Sequence, residues 1–321
     1  MKTGNNMEAE SICKICGNHV HNRCFIATER LLGLNDQFEY FECSNCKCLQ
    51  IKEIPPNMDR YYPDHYYSYQ QPVFATKLTG LRYFMKKSLA AHYSGRFNFA
   101  GLLLSMYYDN PFSWLRPNMA NFNSKILDVG CGKGRLLLSM QRSGFKNLTG
   151  IDPYNKEDIF YGNKLAVYKK EIFDVNERYD LIMLHHSFEH MESPKSVLMR
   201  LHELINVQGY IVIRIPVANS YAWRKYHNHW AHLDAPRHFF LHTIKSINIL
   251  ANECGLKLHD VEFESGSRQF TGSEKYLRGI GFNENNTIFS KKQIKMFERE
   301  AKRLNHLNDG DSACFYFQKL R

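Results

Sequence analysis

The chain has 321 residues and is 44% hydrophobic, with 22 Phe and 19 Tyr, so it can bury a core and is not intrinsically disordered. Its formal net charge of +10 favours anionic partners, such as phosphorylated substrates, nucleic acid or a membrane surface, without choosing among them. No signal-peptide pattern or membrane-spanning apolar run is evident, so we expect a cytoplasmic protein.

Two C-x-x-C pairs lie close to the N-terminus. They are Cys13–Cys16 and Cys43–Cys46, with 26 residues between the pairs. Two such pairs on separate turns can present four thiolates to one tetrahedral ion, and a closed set of four leaves no open position for chemistry. We therefore expect one structural Zn²⁺ in a ribbon spanning residues 1–54. Unliganded thiols and a redox dithiol are the alternatives. Other potential donors are His19, His21, Cys24 and Cys48.

A connector and a helical segment are predicted over residues 55–123. Residues 55–73 are rich in proline and tyrosine, which is typical of an irregular connector. From 74 to about 122 apolar residues recur at helical steps, which predicts a helix with a packing stripe. The stripe contains Phe74, Leu78, Leu81, Met85 and Leu89. The basic residues between them are Lys77, Arg82, Lys86 and Lys87, and they make an anionic membrane surface a candidate partner.

From residue 124 onward, strand-like and helix-like stretches alternate. KILDVG, RLLLSMQRSG and NLTGID begin the series, and YDLIMLHH, SPKSVLMRLHELI and YIVIRIP continue it. This order predicts a doubly wound parallel α/β sheet with helices on both faces. LKLHDVEFE and SACFYFQKL supply two further strands near the end.

A glycine-rich turn follows the first of these strands, in ILDVGCGKG. Its glycines are Gly130, Gly132 and Gly134. Glycines at this point of a doubly wound sheet let a ligand approach the backbone. The spacing differs from the dinucleotide G-x-G-x-x-G, because Arg135 stands at the position of the third glycine. Asp128 would repel a pyrophosphate and attract the ammonium and sulfonium groups of S-adenosylmethionine, which we therefore favour over NAD.

Three residues at later strand ends complete the predicted cofactor site. Asp152 in GIDP suits the two ribose hydroxyls, because one carboxylate can accept from both. Glu171 and Ile172 follow the third strand, and Ile172 would pack on the adenine ring. The alternative for Asp128 and Asp152 is a structural carboxylate that caps a turn. Both roles can coexist.

These motifs resemble those of class I S-adenosylmethionine-dependent methyltransferases. ILDVGCGKG resembles the first motif, GIDP the second, YDLIMLHHSFEHM the fourth, and GYIVIRIP the fifth strand. The resemblance implies a seven-stranded, Rossmann-like sheet in a domain spanning 124–321. Through YYPDHYY and DAPRH the whole chain also resembles bacterial methyltransferases of sugar and polysaccharide pathways that carry an N-terminal C-x-x-C…C-x-x-C module. Lys47 stands where such modules commonly have glycine.

Two histidine-rich stretches contain the candidates for a general base. HHSFEHM follows the fourth strand and includes His186, and HNHWAHLDAPRHFFLH follows the fifth and includes His238. We rank His238, oriented by Asp234, above His186, with Arg237 placed to bind an anionic group of the acceptor. The alternatives are a loop latched by an Asp234–Arg237 ion pair with His238 exposed, and catalysis by positioning alone. No spacing among these histidines requires a second metal site.

The expected function is methyl transfer to a small-molecule or glycan acceptor. We favour a sugar hydroxyl on a nucleotide sugar or a lipid-linked glycan. RNA methylation is one alternative, because residues 74–125 hold seven basic residues against the single acid Asp109. The ribbon has as many acids as bases in and between its knuckles, so nucleic acid is disfavoured as a partner. Cofactor binding without turnover is the other alternative.

Overall fold

The computed structural model describes residues 11–63, 80–161, 165–281 and 288–319. The predicted helix positions Phe74, Lys77 and Leu78 lie outside the described residues. The β-strands are β1 (Arg23–Thr28), β2 (Gln37–Glu42), β3 (Leu49–Ile51), β4 (Lys125–Val129), β5 (Asn147–Ile151), β6 (Ile159–Phe160), β7 (Leu165–Tyr168), β8 (Tyr179–His185), β9 (Ile205–Pro216), β10 (Phe240–Leu241), β11 (Leu256–Phe263) and β12 (Ser312–Lys319). The α-helices are α1 (Gly80–Tyr93), α2 (Phe99–Ser105), α3 (Arg135–Arg142), α4 (Pro194–Leu204), α5 (Tyr221–Tyr226), α6 (Ile244–Glu253), α7 (Arg268–Leu277) and α8 (Lys291–His306).

The large sheet has the order β11-β12-β9-β8-β4-β5-β7-β6. Strands β4, β5, β7, β8 and β9 run parallel, whereas β12 and β11 form an antiparallel edge. The predicted doubly wound α/β fold is confirmed, with one strand more than the seven implied by the resemblance. The additional strand is β6, a two-residue edge strand antiparallel to β7. The chain winds outward from β4 in both directions, so ligands are expected at the carboxyl ends beside β4.

Both faces of this sheet are buried, as expected for parallel strands covered by helices. Along β8, Leu181 and Met183 belong to one apolar cluster, and Ile182 and Leu184 belong to the other. The second of these clusters also contains the core of the N-terminal ribbon. The ribbon therefore packs on one face of the large sheet.

The N-terminal ribbon also shares a strand with the rest of the chain. β1, β2 and β3 form an antiparallel sheet, and β10 adds to its edge by pairing with β3. Phe240 lies opposite Gln50 and Leu241 opposite Leu49. A segment more than 180 residues later in the sequence thus completes the ribbon's sheet.

A buried arginine joins the ribbon to the loop before β10. Arg237 is fully buried and donates to both carboxylate oxygens of Asp234, at 2.6 and 3.1 Å. It also donates to Glu29 of the ribbon at 2.8 Å, and Glu29 is itself fully buried. Buried ion pairs are strongly position-specific, because a displaced partner leaves an uncompensated charge. The loop containing Asp234 is therefore held against the ribbon.

The helical segment differs from its prediction in two ways. Residues 106–124 form turns and no helix, since Pro111 and Pro117 each lack a backbone N–H. On α1 the buried residues are Ser88, Ala90 and Ala91, whereas Leu81 of the predicted stripe is 72% exposed. Small residues face α2 because the two helices approach so closely that a Cβ at Gly101 would overlap Ser88.

The outer surface of α1, α2 and the turns beside them is unusually apolar. The exposed large apolar side chains there are Leu81, Phe84, Phe97, Phe99, Leu102, Leu103, Met106, Tyr107 and Tyr108, and Phe97 is 91% exposed. None of the helices in the described ranges combines the length and apolar character needed to cross a bilayer. The exposed side chains on this apolar surface are not covered by other described residues.

Candidate active site

Four cysteine thiols meet between the two turns of the ribbon. Their sulfur atoms all lie within 4.8 Å of one another, and they belong to Cys13, Cys16, Cys43 and Cys46. The Sγ atoms of Cys13 and Cys46 are 3.6 Å apart, as are those of Cys16 and Cys43. Four thiolates at about 2.3 Å from one tetrahedral Zn²⁺ would lie about 3.8 Å apart, so the cluster fits a zinc site.

The two knuckles have the same backbone geometry. The N–H of Gly17 donates to the carbonyl of Cys13, and the N–H of Lys47 donates to that of Cys43, both at 2.9 Å. Gly17 has a φ of 70° and Lys47 a φ of 60°. Lys47 thus adopts the left-handed conformation that usually favours glycine, at a cost of about 1–2 kcal/mol. The lysine changes the local strain and leaves the knuckle intact.

The thiols of the cluster differ in how readily they ionise. A hydrogen bond with Cys46 lowers the pKa of Cys13 to about 5, whereas burial raises the pKa of Cys43. The pKa of Cys46 is raised, first by its hydrogen bond with Cys13 and then by burial. A cation is therefore needed to hold all four as thiolates, which is what Zn²⁺ does in such sites. Cys24 and Cys48 lie outside the cluster.

A cavity of about 420 Å³ opens where the parallel strands β4, β5, β7 and β8 end. This volume is typical of a small-molecule site. Of the residues predicted from the sequence, the lining includes Gly130, Asp152, Glu171, Ile172 and His186. Asp128, Gly132, Gly134, Asp234 and His238 are not among the residues that line it.

The turn after β4 depends on a glycine and on Asp152. Gly130 has a φ of 73°, and a Cβ there would overlap the side chain of Ser187, so only glycine fits. The N–H groups of Gly132 and Tyr154 donate to the two carboxylate oxygens of Asp152, at 2.8 and 3.0 Å. Each oxygen retains another lone pair, so Asp152 can accept further hydroxyls. Asp152 therefore shapes the turn and also lines the cavity.

Asp128 lies beneath the cavity lining and is only 2% exposed. Burial, followed by the charge of Asp152, raises its pKa well above the usual value. Within the described ranges its Oδ1 atom has no hydrogen-bond partner. The attraction between this carboxylate and the cationic end of the cofactor thus stays a prediction from the sequence.

The turn after β8 places a carboxylate beneath His186. Glu189 is fully buried in a single 3-10 turn, Phe188–His190. His186 has a φ of 53°, its side chain is 44% exposed, and its Nδ1 atom lies 3.6 Å from Oε1 of Glu189. Burial raises the pKa of Glu189, but His186 and the nearby His190 and His238 outweigh it and lower the pKa to about 2. Glu189 is therefore an anion at neutral pH.

His238 is buried and approaches the same carboxylate oxygen of Glu189 as His186 does. Its Nδ1 atom lies 2.8 Å from the carbonyl oxygen of His232. Its Nε2 atom lies 3.7 Å from Asp234 and 3.8 Å from Glu189. Burial lowers the pKa of His238 to about 4. Arg237 points to the ribbon and so does not face the acceptor, and the Asp234–Arg237 latch is present with His238 buried, not exposed.

Two tyrosines, Tyr62 and Tyr154, line the cavity but are not among the site residues predicted from the sequence. Tyr62 stacks on Tyr154 with ring centroids 5.8 Å apart, and its hydroxyl lies 3.1 Å from Nδ1 of His190. Tyr154 stands two residues after Asp152, and its position just after the end of β5 could have identified it as a residue of the cavity wall. Tyr62 belongs to the connector, where nothing in the run of tyrosines indicates which one reaches the site.

Comparison with known proteins agrees with this geometry. Residues 104–261 match the model of a family described as a methyltransferase domain. The ubiquinone biosynthesis O-methyltransferase of Pectobacterium carotovorum is 29% identical over 114 residues, which are 32% of this chain and 47% of that protein. EEF1A lysine methyltransferase 2 of Danio rerio is 46% identical over 43 residues, 13% of this chain and 18% of that protein. The chain spans about half the length, or less, of these curated relatives.

A solved structure of a SAM dependent methyltransferase from Archaeoglobus fulgidus is also similar. It has a TM-score of 0.40 and 21% identity, and the match covers 61% of this chain and 86% of that one. The match to the methyltransferase-domain family covers residues 104–261, just under half of this chain.

The first prediction concerns the cysteine cluster. Purified, reduced protein should contain one zinc ion per chain by atomic absorption, and Cys43→Ser should lose it. The ribbon should then unfold, because zinc contributes roughly 10–16 kcal/mol to folding in small modules. Cys24→Ser, which changes an exposed thiol outside the cluster, is the control and should keep the metal. Absence of metal from the unmodified protein would contradict the prediction.

The second prediction concerns Asp152 and the cofactor. In calorimetry, Asp152→Ala should bind S-adenosylhomocysteine at least about tenfold more weakly, because hydrogen bonds to a charged group contribute about 1.5–3 kcal/mol. Asp109→Ala removes an exposed carboxylate elsewhere and should bind normally. Circular dichroism checks that both variants fold. Equal affinity in a folded Asp152→Ala protein would mean that the carboxylate serves only the turn.

Proposed function

We propose that this chain transfers a methyl group from S-adenosylmethionine to a hydroxyl group of a small-molecule acceptor. The cavity at the strand ends carries the proposal, because cofactor-type residues and a carboxylate–imidazole pair line or adjoin the same space. Gly130, Asp152 and Ile172 lie on its walls together with His186. Glu189 lies directly beneath His186.

Each half of the cavity has a separate task. Asp152 would bind the ribose hydroxyls, and Ile172 would pack on the adenine beside Glu171, since all three line the cavity. S-adenosylmethionine supplies an electrophilic methyl group when bound. The residues of the other half then have to place the acceptor oxygen in line and remove its proton.

We assign the removal of that proton to His186. Its Nδ1 atom faces the buried carboxylate of Glu189, which leaves Nε2 for the acceptor. A carboxylate that binds one imidazole nitrogen while the other takes a proton is an established arrangement for a general base, and Glu189 would act in this way once the 3.6 Å separation closes to a hydrogen bond. His186 lines the cavity and His238 does not, so we prefer His186 although the sequence ranks His238 first. The strained φ of His186 supports a functional position.

For the acceptor we propose a sugar hydroxyl, as the sequence resemblance implies. The cavity wall near His190 includes Tyr62, which stacks on Tyr154, and Met191, and such a surface can pack against the C–H face of a sugar ring. A phenolic hydroxyl is the second candidate, because the similar proteins include ubiquinone biosynthesis O-methyltransferases. Both are small-molecule acceptors.

The third prediction tests turnover and the base together. A screen with radiolabelled S-adenosylmethionine should find methylation of an acceptor among nucleotide sugars, lipid-linked glycans or phenols. With that acceptor, His186→Gln should lower kcat about 10²–10⁴-fold while cofactor affinity changes little. His259→Gln alters an exposed histidine on β11 and should have normal kcat.

Two outcomes would contradict these assignments. Full activity of His186→Gln would mean that positioning alone carries the reaction or that another group is the base. Methylation of RNA, with none of any small molecule, would favour the nucleic-acid alternative instead.

We also propose that the apolar surface of α1 and α2 docks on an anionic membrane. Phe97 and Met106 are exposed on this surface, and Arg82 and Lys86 are exposed on α1. Apolar side chains flanked by basic ones match the interface of an anionic bilayer. A lipid-linked acceptor would be concentrated there.

The fourth prediction tests this docking by sedimentation with anionic vesicles. The protein should bind at low salt and bind less at moderate salt, as screening weakens the electrostatic part. Phe97→Ser combined with Met106→Ser should weaken binding about tenfold, because two large apolar side chains no longer insert. Phe160→Ser, which changes an exposed phenylalanine on β6, is the control. No binding at either salt, or concentration-dependent self-association through this surface, would rule the membrane role out.

A further inference from the structure

We propose that Glu189, His190 and His238 bind one divalent transition-metal cation at the inner end of the cavity. The potential ligand atoms of these three residues all lie within 4.8 Å of one another. Glu189 and His238 are buried, and His190 reaches the cavity wall. The site is separate from the four cysteines of the ribbon. The inference rests on the proposed function only for the role of the cation, not for its binding.

Backbone carbonyls fix both imidazole rings in the tautomer that a metal requires. The Nδ1 atom of His190 lies 2.8 Å from the carbonyl oxygen of Arg237, and the Nδ1 atom of His238 lies 2.8 Å from that of His232. A carbonyl can only accept, so each Nδ1 carries the hydrogen and each Nε2 presents its lone pair. Metal-binding histidines are commonly oriented by this kind of hydrogen bond.

The two rings converge on one carboxylate. Nε2 of His238 lies 3.8 Å from Oε1 of Glu189, and the ring centroids of His190 and His238 are 4.8 Å apart. Ligands bound at about 2.0–2.2 Å to one ion lie about 3–4 Å from each other. Small side-chain rotations would therefore bring all three onto a single cation.

The carboxylate of Glu189 lacks the partners that its burial demands. It is fully buried, and neither of its oxygen atoms has a hydrogen-bond partner within the described ranges. The nitrogen atoms facing it are those of imidazoles, His186 at 3.6 Å and His238 at 3.8 Å. A buried carboxylate without a donor or a cation is strongly unfavourable. A bound metal ion would satisfy it.

The three ligands, two imidazoles and one carboxylate, indicate which kind of cation would bind and what role it would have in the reaction. Two imidazoles favour a transition metal over Mg²⁺ or Ca²⁺, and a site of two histidines and one carboxylate keeps open positions for other ligands. Because His190 and His186 line the cavity, the open positions would face the acceptor. The cation would bind the acceptor hydroxyl and lower its pKa, and the proton would pass to His186. Acceptors with two neighbouring oxygen atoms, such as a vicinal diol or a catechol, fit this arrangement best.

The fifth prediction tests the site with Mn²⁺, which binds thiolate clusters poorly. Protein with zinc retained in the ribbon is treated with a mild chelator and titrated with Mn²⁺, and free Mn²⁺ is followed by electron paramagnetic resonance. One Mn²⁺ should bind per chain. Glu189→Gln should weaken binding at least about tenfold, since even the loss of a residue that only orients a ligand costs about 10–100-fold. Glu203→Gln, which removes an exposed carboxylate on α4, is the matched control.

His190→Gln is the second variant, because Glu189 is buried and its replacement could disturb folding. Retention of the ribbon zinc and of the thermal unfolding transition checks that each variant is folded. Absence of Mn²⁺ uptake by the unmodified protein, or equal uptake by folded Glu189→Gln and His190→Gln, would overturn the inference. Loss of Mn²⁺ binding in both variants supports the site whether or not an acceptor is found. Methyl transfer that depends on His186 but not on any cation would leave the proposed function standing and remove the role of the cation in the reaction.

Discussion

The ion pairs of the buried guanidinium of Arg237 hold the loop that bears His238 in place. The guanidinium lies between Asp234 in its own loop and Glu29 in the ribbon, and all three charges are largely or fully buried. Burial raises the pKa of Asp234, but Arg237 outweighs burial and holds it well below its usual value. Such a group has few alternative positions, because moving it would leave unpaired charges in the interior. The loop that bears His238 is therefore set by the ribbon.

Hydrogen bonds between uncharged groups connect the ribbon, the loop that bears His238 and the turn that contains Glu189. The hydroxyl of Tyr40 in β2 donates to the carbonyl of His238 at 2.9 Å, and the N–H of Ile51 donates to the carbonyl of Phe239 at 3.0 Å. On the other side, the N–H of Phe239 donates to the carbonyl of Glu189 at 2.8 Å. A continuous set of hydrogen bonds thus runs from the ribbon to the backbone of Glu189. The ribbon that contains the cysteine cluster thus also positions the loop that bears His238.

The sequence predicts the turns at the ends of β4 and β5 because these turns are built from local patterns. A strand, a glycine turn and a helix follow one another in ILDVGCGKG, and the carboxylate of Asp152 comes directly after the next strand. Parallel strands then bring these ends together without any further information. The cysteine pairs are equally local, since each knuckle closes within six residues. In contrast, the stripe on α1 misleads, because Gly101 allows α2 to pack on small residues and leaves Leu81 outside.

The contacts around Asp234 and His238 could not be predicted in the same way, because the residues that make them are distant in the chain. His238 and Asp234 are four residues apart and suggest a catalytic pair, yet Arg237 between them takes Asp234 toward Glu29, more than 200 residues earlier. Asp234 stays 3.7 Å from Nε2 of His238, and Glu189, from a distant part of the chain, is a second carboxylate at 3.8 Å from the same atom. The spacing along the chain predicts that Asp234 and His238 can meet. It does not reveal that Arg237 also binds Asp234 and Glu29 in the interior. In this protein the ribbon supplies Glu29, which binds Arg237 and so fixes the loop that bears His238 beside Glu189.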